Sequence, residues 1–229
     1  LYFSGNGQVN VAVSDPAKGG TIASGYEIQN VKVESSIDPG VFQDPQTGKW
    51  WMTWGQNEGM YAELNDDMTG IKPGTTVKTN ATKDIREASY ITARKWNGKW
   101  TYYYTYSIDD TNSPNYKVAY ATADTLEGDG TQWTFRGDVL KKDLDKGILG
   151  TAHQSVLQVP GTDDWYMAYH AFLTDEMRPR GNDSTHGGKQ IATGNKREVR
   201  INKMTYTEPT EAETEAGEVP LIKPMEVTY

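Results

Sequence analysis

Asn97-Gly98-Lys99-Trp100-Thr101-Tyr102-Tyr103-Tyr104-Thr105-Tyr106-Ser107 decides how the chain is read: a glycine-containing turn feeds an aromatic strand that ends on a small polar residue. The same phrase returns elsewhere. Thr47-Gly48-Lys49 leads into Trp50-Trp51-Met52-Thr53-Trp54-Gly55, and Gly161-Thr162-Asp163-Asp164 leads into Trp165-Tyr166-Met167-Ala168-Tyr169-His170. Leu1-Tyr2-Phe3-Ser4 reads as the end of a fourth copy.

Strands with an alternating pattern flank these copies. Val9 to Ser14, Met60 to Leu64, Tyr116 to Ala121 and Glu198 to Met204 follow the aromatic strands, while Pro39 to Gln43, Ser89 to Arg94 and Gln154 to Val159 precede them. The order of leading strand, turn, aromatic strand and outer strand recurs about every 50–60 residues, which is the unit of a β-propeller blade. The expected fold is therefore an all-β propeller, in one domain spanning 1–229, with blades over roughly 1–35, 36–84, 85–148 and 149–229. No stretch shows a capped helical period, so little helix is expected. Residues 18–24, 175–194 and 207–217 read as loops, the last acidic and loosely held. A propeller protects its sheet edges by closing its ring. Three whole copies and a partial one leave two expectations open: a small complete propeller with irregular end blades, or a ring completed by a blade that precedes Leu1.

Composition narrows the function. The chain has 229 residues, with 23 basic against 31 acidic side chains and a formal charge of −8. That balance repels phosphate backbones and anionic headgroups, so neither nucleic acid nor a membrane is expected as partner. There are no cysteines, which excludes disulfides, thiolate metal sites and a cysteine nucleophile. No apolar run approaches the roughly 20 residues of a membrane-spanning helix. Fourteen Tyr and seven Trp stand against four Phe. Such amphipathic rings suit propeller strands and equally suit stacking on sugars.

Polar groups recur at the entry of the innermost strands. Asp38 lies in Ser36-Ile37-Asp38-Pro39-Gly40-Val41-Phe42, Glu87 in Ile85-Arg86-Glu87-Ala88-Ser89-Tyr90, and His153 in Gly150-Thr151-Ala152-His153-Gln154-Ser155. Taken singly, an Asp before Pro is a common turn residue and a Glu at a strand start is commonly a solvated end. Placed at matching points of one repeat, they converge on the propeller axis. Carboxylates gathered in an aromatic-lined cavity suit glycoside hydrolysis, in which one acid protonates the leaving oxygen and another group activates water. No zinc-ligand spacing, phosphate-binding loop or nucleophile elbow is present.

On these motifs the chain resembles glycoside hydrolase family 43, five-bladed propellers that include α-L-arabinofuranosidases, β-xylosidases and arabinanases. Residues 1–4 and 11–15 resemble the outer part of that family's second blade, 37–55 its third, 87–107 its fourth, and 153–170 with 197–201 its fifth. The resemblance implies that Glu87 is the general acid, that Asp38 modulates its pKa and orients it, and that His153 faces an axial cation or water. A structural calcium on the axis is the metal this would allow; no cofactor is required for the chemistry. Arg197 resembles an arginine that reaches a sugar hydroxyl, and Phe42, Trp54 and Tyr90 are candidates for a sugar-stacking wall. His170 reads as structural, and His186 has no assigned role.

Two departures stand out. Ala88-Ser89 follows the acid where the family has Gly-Pro, and the family's general base, an Asp of the first blade, has no counterpart here. Asp15, Asp44, Asp66, Asp67 and Asp124 read as turn or loop residues. The expectation is therefore an inverting glycosidase of arabinose- or xylose-containing plant polysaccharide, foremost an α-L-arabinofuranosidase, from which the first blade and part of the second are missing. That blade would arrive from upstream or as a separate N-terminal fragment, and this chain alone would not turn over substrate. The resemblance also implies an extracellular or periplasmic location. The alternatives are a non-catalytic carbohydrate-binding propeller and a purely structural one, in which Asp38 and Glu87 would be incidental.

Overall fold

The computed structural model describes residues 1–15, 17, 25–80, 83–172, 183–186, 189–192 and 196–228. Its described residues form four blades of a β-propeller. The first blade is β1 (Tyr2–Gly5), β2 (Gln8–Ser14) and β3 (Tyr26–Glu34), and the second is β4 (Gly40–Gln43), β5 (Trp50–Trp54), β6 (Met60–Glu63) and β7 (Val77–Lys78). The third is β8 (Ile85–Trp96), β9 (Lys99–Ile108), β10 (Lys117–Ala123) and β11 (Thr134–Leu140). The fourth pairs β12 (Ala152–Gln158), β13 (Trp165–Phe172) and β16 (Arg197–Met204), with a separate hairpin of β14 (Asp183–His186) and β15 (Lys189–Ala192) before the last of these. All pairings are antiparallel, as hairpin-linked strands require.

The blades are held face to face by aromatic packing. Trp51, Tyr61, Tyr102, Tyr104 and Trp133 fill the boundary between the second and third blades, and Tyr103, Tyr120, Trp165 and Tyr206 the boundary between the third and fourth. Tyrosine rather than phenylalanine suits these boundaries because most of the buried phenols reach a hydrogen-bond partner, the buried Tyr206 hydroxyl being an exception. Tyr102 donates to Asp44 at 2.8 Å, Tyr104 to the Ser89 hydroxyl at 2.7 Å, Tyr61 to the Leu126 carbonyl at 2.9 Å and Tyr103 to the Pro220 carbonyl at 2.8 Å. Asp44 is a turn residue as well, accepting from the Gln46 amide at 3.0 Å and from the Thr47 hydroxyl. Asp15 and Asp67 cap turns in the same way, accepting from the amides of Ala17 and Thr69.

Two loop expectations change. Residues 207–217 contain α1 (Glu211–Glu215), whose Thr210 and Glu213 form a reciprocal capping box, a signature present in the sequence as Thr-x-x-Glu. The segment is tied down rather than loose. It passes between β17 (Tyr206–Thr207) and β18 (Leu221–Ile222), and Lys99 Nζ donates to the Thr214 carbonyl at 2.7 Å. Within 175–194, the backbone of 183–186 and 189–192 is a hairpin, and the other residues of that loop, like Lys18 to Ser24, lie outside the described residues. Among the described residues no helix is long and apolar enough to cross a membrane.

Candidate functional site

The site grows out of a backbone feature repeated in three blades. Gly40 pairs with Thr53, Tyr90 with Thr105, and Ser155 with Ala168, so these three open the regular ladder of successive inner strands. Two residues ahead of each stand Asp38, Ala88 and His153, with φ of 59°, 59° and 57°. Side chains other than glycine hold that left-handed conformation at a cost of order 1–3 kcal/mol each, and such strain gathers at functional sites. The inner strands enter through this kink, which breaks the ladder register between Glu87 and Tyr90 and between Ala152 and Ser155.

The expected equivalence of Asp38 and Glu87 therefore needs correction by one residue. Ala88, not Glu87, matches Asp38 and His153 in register and in φ. Glu87 still reaches the axis, because it pairs with Ser107 one step before the kink.

Asp38, Glu87 and His153 each offer a ligand atom within 4.8 Å of the others. His153 bridges the acids: its Nε2 is 3.8 Å from Asp38 Oδ2, and its Nδ1 is 3.8 Å from Glu87 Oε1. Glu87 is 6 % exposed and is clamped at both oxygens. The Tyr116 hydroxyl donates to Oε1 at 2.8 Å, and Gln56 Nε2 approaches Oε2 at 3.5 Å. Asp38 donates its backbone N–H to the Ser4 hydroxyl at 2.8 Å, while its buried Oδ2 has no hydrogen-bond partner. Burial lifts the Asp38 carboxyl above its usual pKa; His153 pulls it back and the Glu87 charge pushes it further up.

Asp38 is thus charged at a cost to folding. At low pH it is protonated in both the folded and unfolded chain. As pH rises past the unfolded value, the unfolded chain gives up the proton first, so stability falls until the folded group also ionises. Asp38→Asn should accordingly raise the melting temperature at pH 7 by a few degrees, a gain that shrinks away near about pH 3. Asparagine tolerates the left-handed backbone, so no new strain enters. Thermal melts at the two pH values check this, and a lower melting temperature at pH 7 would contradict it.

Behind the acids, the ring of His170 stacks on Tyr116 at 5.5 Å and on His153 at 5.9 Å. Burial, then the nearby Arg197 charge, then His153, push the His170 pKa down to about 4, so the ring is neutral at physiological pH. The Gly150 backbone lies near enough to pull that pKa back up a little, but neither ring nitrogen makes a well-aligned hydrogen bond with a described residue. It acts as a flat, uncharged backing for the site.

Of the residues singled out from sequence, Asp38, Glu87 and His153 come together, and Arg197 stands at the exposed start of β16 with its charge reaching His170. Of the three rings expected to stack on sugar, one is buried and two are half-buried. Trp54 is 3 % exposed among Val9, Met52 and Leu64; Phe42 packs edge-on to Tyr102 at 6.4 Å; and Tyr90 lies against the core between the third and fourth blades. Trp54 is thus spent on blade packing, while Phe42 and Tyr90 pack against the core on one side and stay half-buried. Tyr116, Gln56 and His170 were not foreseen as site residues; Tyr116 had been visible only as the first residue of an outer strand. The side chain of His186, at the end of β14, lies outside the described residues.

As a metal site the cluster fits calcium poorly. It supplies two carboxylates and one imidazole, whereas calcium takes six to eight oxygen ligands, and a proton-donating Glu87 could not ligate at the same time.

No curated protein matches the chain in sequence. Among solved structures it is similar to an endo-1,4-β-xylanase from Bacteroides thetaiotaomicron, with TM-score 0.67 and 22% identity over 98% of this chain and 70% of that one. It is also similar to the α-L-arabinanase of Cellvibrio cellulosa bound to arabinohexaose, with TM-score 0.61 and 17% identity over 96% and 71%. An α-L-arabinofuranosidase from Lactobacillus brevis aligns with TM-score 0.64 and 15% identity over 97% and 67%. At these identities the likeness speaks for the fold. The family model for glycosyl hydrolases family 43 matches residues 1–210, a span that takes in all four blades and the whole axial cluster, and the chain therefore belongs to that family of glycoside-cleaving enzymes.

Proposed function

We propose that this protein is an inverting hydrolase of arabinose- or xylose-containing polysaccharide, foremost an α-L-arabinofuranosidase, in which Glu87 donates the proton to the leaving oxygen. The observation that carries the reading is the packing of Asp38, Glu87 and His153 within 4.8 Å around one axis. Tyr116 and Gln56 hold the Glu87 carboxyl in a fixed plane, and Asp38 with His153 sets its electrostatic surroundings. The arabinan- and xylan-type names of the similar solved enzymes favour a pentose substrate.

Asp38 is not the base in this scheme. An inverting pair stands roughly 6.5–9.5 Å apart to admit a water, and Asp38 is too near Glu87 for that. We place the base on a further blade that packs against the open face of the fourth. That face carries Leu157, Val199 and Ile201, 61%, 78% and 65% exposed, in register with Tyr166, His170 and Ala168. Large apolar side chains aligned on one sheet face fit a covering partner better than water. The Asp-bearing blade would come from upstream or as a separate fragment. A substrate of this kind goes with action outside the cytoplasm.

The stereochemistry is decisive. Proton NMR of the first product formed by the protein with that blade present should show the inverted anomer. Release of the retained anomer would instead make Asp38 the nucleophile, since retaining carboxyls stand only about 5–5.5 Å apart. Binding of arabino- and xylo-oligosaccharides without any turnover would favour a carbohydrate-binding propeller.

A further inference from the structure

Strand β8 enters beside the axis at Glu87 and runs to Trp96, up to roughly 30 Å of extended chain away. Trp96 and Trp100 flank the turn at that far end. Both are half-buried, whereas Trp51, Trp54, Trp133 and Trp165 are each no more than 4 % exposed. The remaining tryptophan, Trp50, is 38 % exposed and begins β5 at the same end of the second blade. The tryptophans that packing does not consume therefore lie at hairpin ends remote from the axial acids. A cleft of about 440 Å³ opens on Trp96 and Trp100, with Gln46 of the second blade's turn, Asp124 and Glu218 also in its wall. Its size lies within the roughly 300–1,000 Å³ typical of small-molecule sites.

Hydrogen bonds fix the walls of this cleft. Trp96 Nε1 donates to the Pro209 carbonyl at 3.1 Å, Asn97 Nδ2 to the Thr214 hydroxyl at 3.3 Å, Lys99 Nζ to the Thr214 carbonyl at 2.7 Å and Gln46 Nε2 to the Tyr102 hydroxyl at 3.3 Å. The one polar atom of the Trp96 ring is thus occupied, and what the ring still offers is a face. Arg94 lies over the Trp96 ring at 5.1 Å and Lys95 over the Trp100 ring at 5.7 Å, which holds each indole in place from one side. The cation of the lining, Lys99, is taken up by Thr214. The Asp124 and Glu218 carboxylates, by contrast, are exposed and make no hydrogen bond or ion pair with a described residue.

Indole faces beside unpaired acceptors suit a ligand that is apolar on one side and carries hydroxyl donors at its edge, as a sugar ring does. Two carboxylates against one cation already engaged disfavour an anion, and with it a uronic acid or a phosphate. We propose that this cleft is a second carbohydrate-binding site, at the end of the propeller away from the axial acids, in which Trp96 and Trp100 stack on a neutral sugar and Asp124 and Glu218 accept from its hydroxyls. That the sugar belongs to the same pentose polymer rests on the hydrolase reading given above; the site itself does not. A polymer held here keeps its other stretches close to the protein, which raises their effective concentration at the axial cluster.

The test is proton–nitrogen NMR of the indole N–H signals of the complete protein, in a Glu87→Gln background that stops cleavage, titrated with arabinotetraose and with xylotetraose. Trp96→Phe and Trp100→Phe identify the two signals by their loss. At least one tetrasaccharide should move both, and Asp124→Ala should weaken that titration about tenfold, the worth of a hydrogen bond to a charged group. Asp124 is exposed and unpaired, so the variant keeps the fold, and with Glu87 restored it should turn over an aryl pentoside as the parent does. If neither tetrasaccharide moves either signal, or if Asp124→Ala titrates like its parent, the cleft is not a sugar site; cleavage of the same oligosaccharides by the unsubstituted protein then decides the hydrolase reading separately. Signals that move with tetramethylammonium but with neither sugar would overturn the ligand class and make this a cation site.

Discussion

Glu87→Gln should cut kcat on arabino- or xylo-oligosaccharides by about 10²–10⁴-fold, the range that general acid catalysis contributes, while costing much less on an aryl glycoside. Glutamine is nearly isosteric and keeps an oxygen for the Tyr116 hydroxyl that now donates to Oε1 at 2.8 Å, so the fold and the pocket should persist. What it lacks is a proton to give. An oligosaccharide departs as a sugar alkoxide, which is a poor leaving group without that proton, whereas a nitrophenolate is stable on its own. The ratio of losses on the two substrates is therefore the measurement, and equal losses on both would remove Glu87 as the acid. Asp38→Asn should lower oligosaccharide activity as well, although it stabilises the fold at neutral pH. Function and stability then pull in opposite directions at one residue, as is common where an active site holds an ill-solvated charge.

Gly55→Ala should destabilise the protein by about 3 kcal/mol or more, the sum of a strained backbone and a steric clash. Gly55 has φ +136°, and a Cβ there would lie 1.9 Å from the Glu58 carbonyl oxygen. The obstacle is backbone, so no side-chain rotation relieves it, and the turn carrying Gln56 and Asn57 must shift. For a chain of this length the melting temperature should drop by roughly 6–12 °C. Gly48→Ala is the control: φ is +75° but nothing lies within 4 Å of the added carbon, so only the backbone cost remains. Matching melting temperatures for the two variants would show that the turn at Gly55 yields. Because Gln56 touches Glu87, the Gly55 variant should also lose activity beyond what its folded fraction explains.

The propeller was legible because its repeat is written in residues that have few other uses in series. Trp100 to Ser107 and its cousins alternate in a way only a sheet satisfies, and every aromatic strand forms where they stand. Convergence of Asp38, Glu87 and His153 was legible for the same reason, since equal places in a repeat share an axis. The one-residue slip at Glu87 was not, because a left-handed kink at Ala88 leaves no compositional trace; alanine is an improbable residue for it. Trp54 misled because an amphipathic ring suits a sugar face and a blade boundary equally well, and only the neighbours across that boundary decide. Tyr116 and Gln56 reach Glu87 from loops far along the chain, and no periodicity links such residues. The capped turn of α1 was readable from Thr210 and Glu213, but five helical residues are too few to show a period.

The unequal packing of the blade boundaries sets an order of loosening. The third and fourth blades share a broad aromatic core and are stitched together by the chain's last segment, where Tyr103 and Tyr120 reach the carbonyls of Pro220 and Ile222 and the Met225 amide donates to the Val139 carbonyl. The first and second blades meet over a smaller cluster around Val9, Met52, Trp54, Ala62 and Leu64. In the language of hydrogen exchange, β1 and β2 belong to a weaker cooperative unit than β8 to β13, and their amides should open at lower free energy. Asp38 sits on that seam, its amide bonded to Ser4 of β1. Local opening of the first blade therefore releases Asp38 while Glu87, Tyr116 and His153 stay in place, so the site loses its second acid well before the protein unfolds.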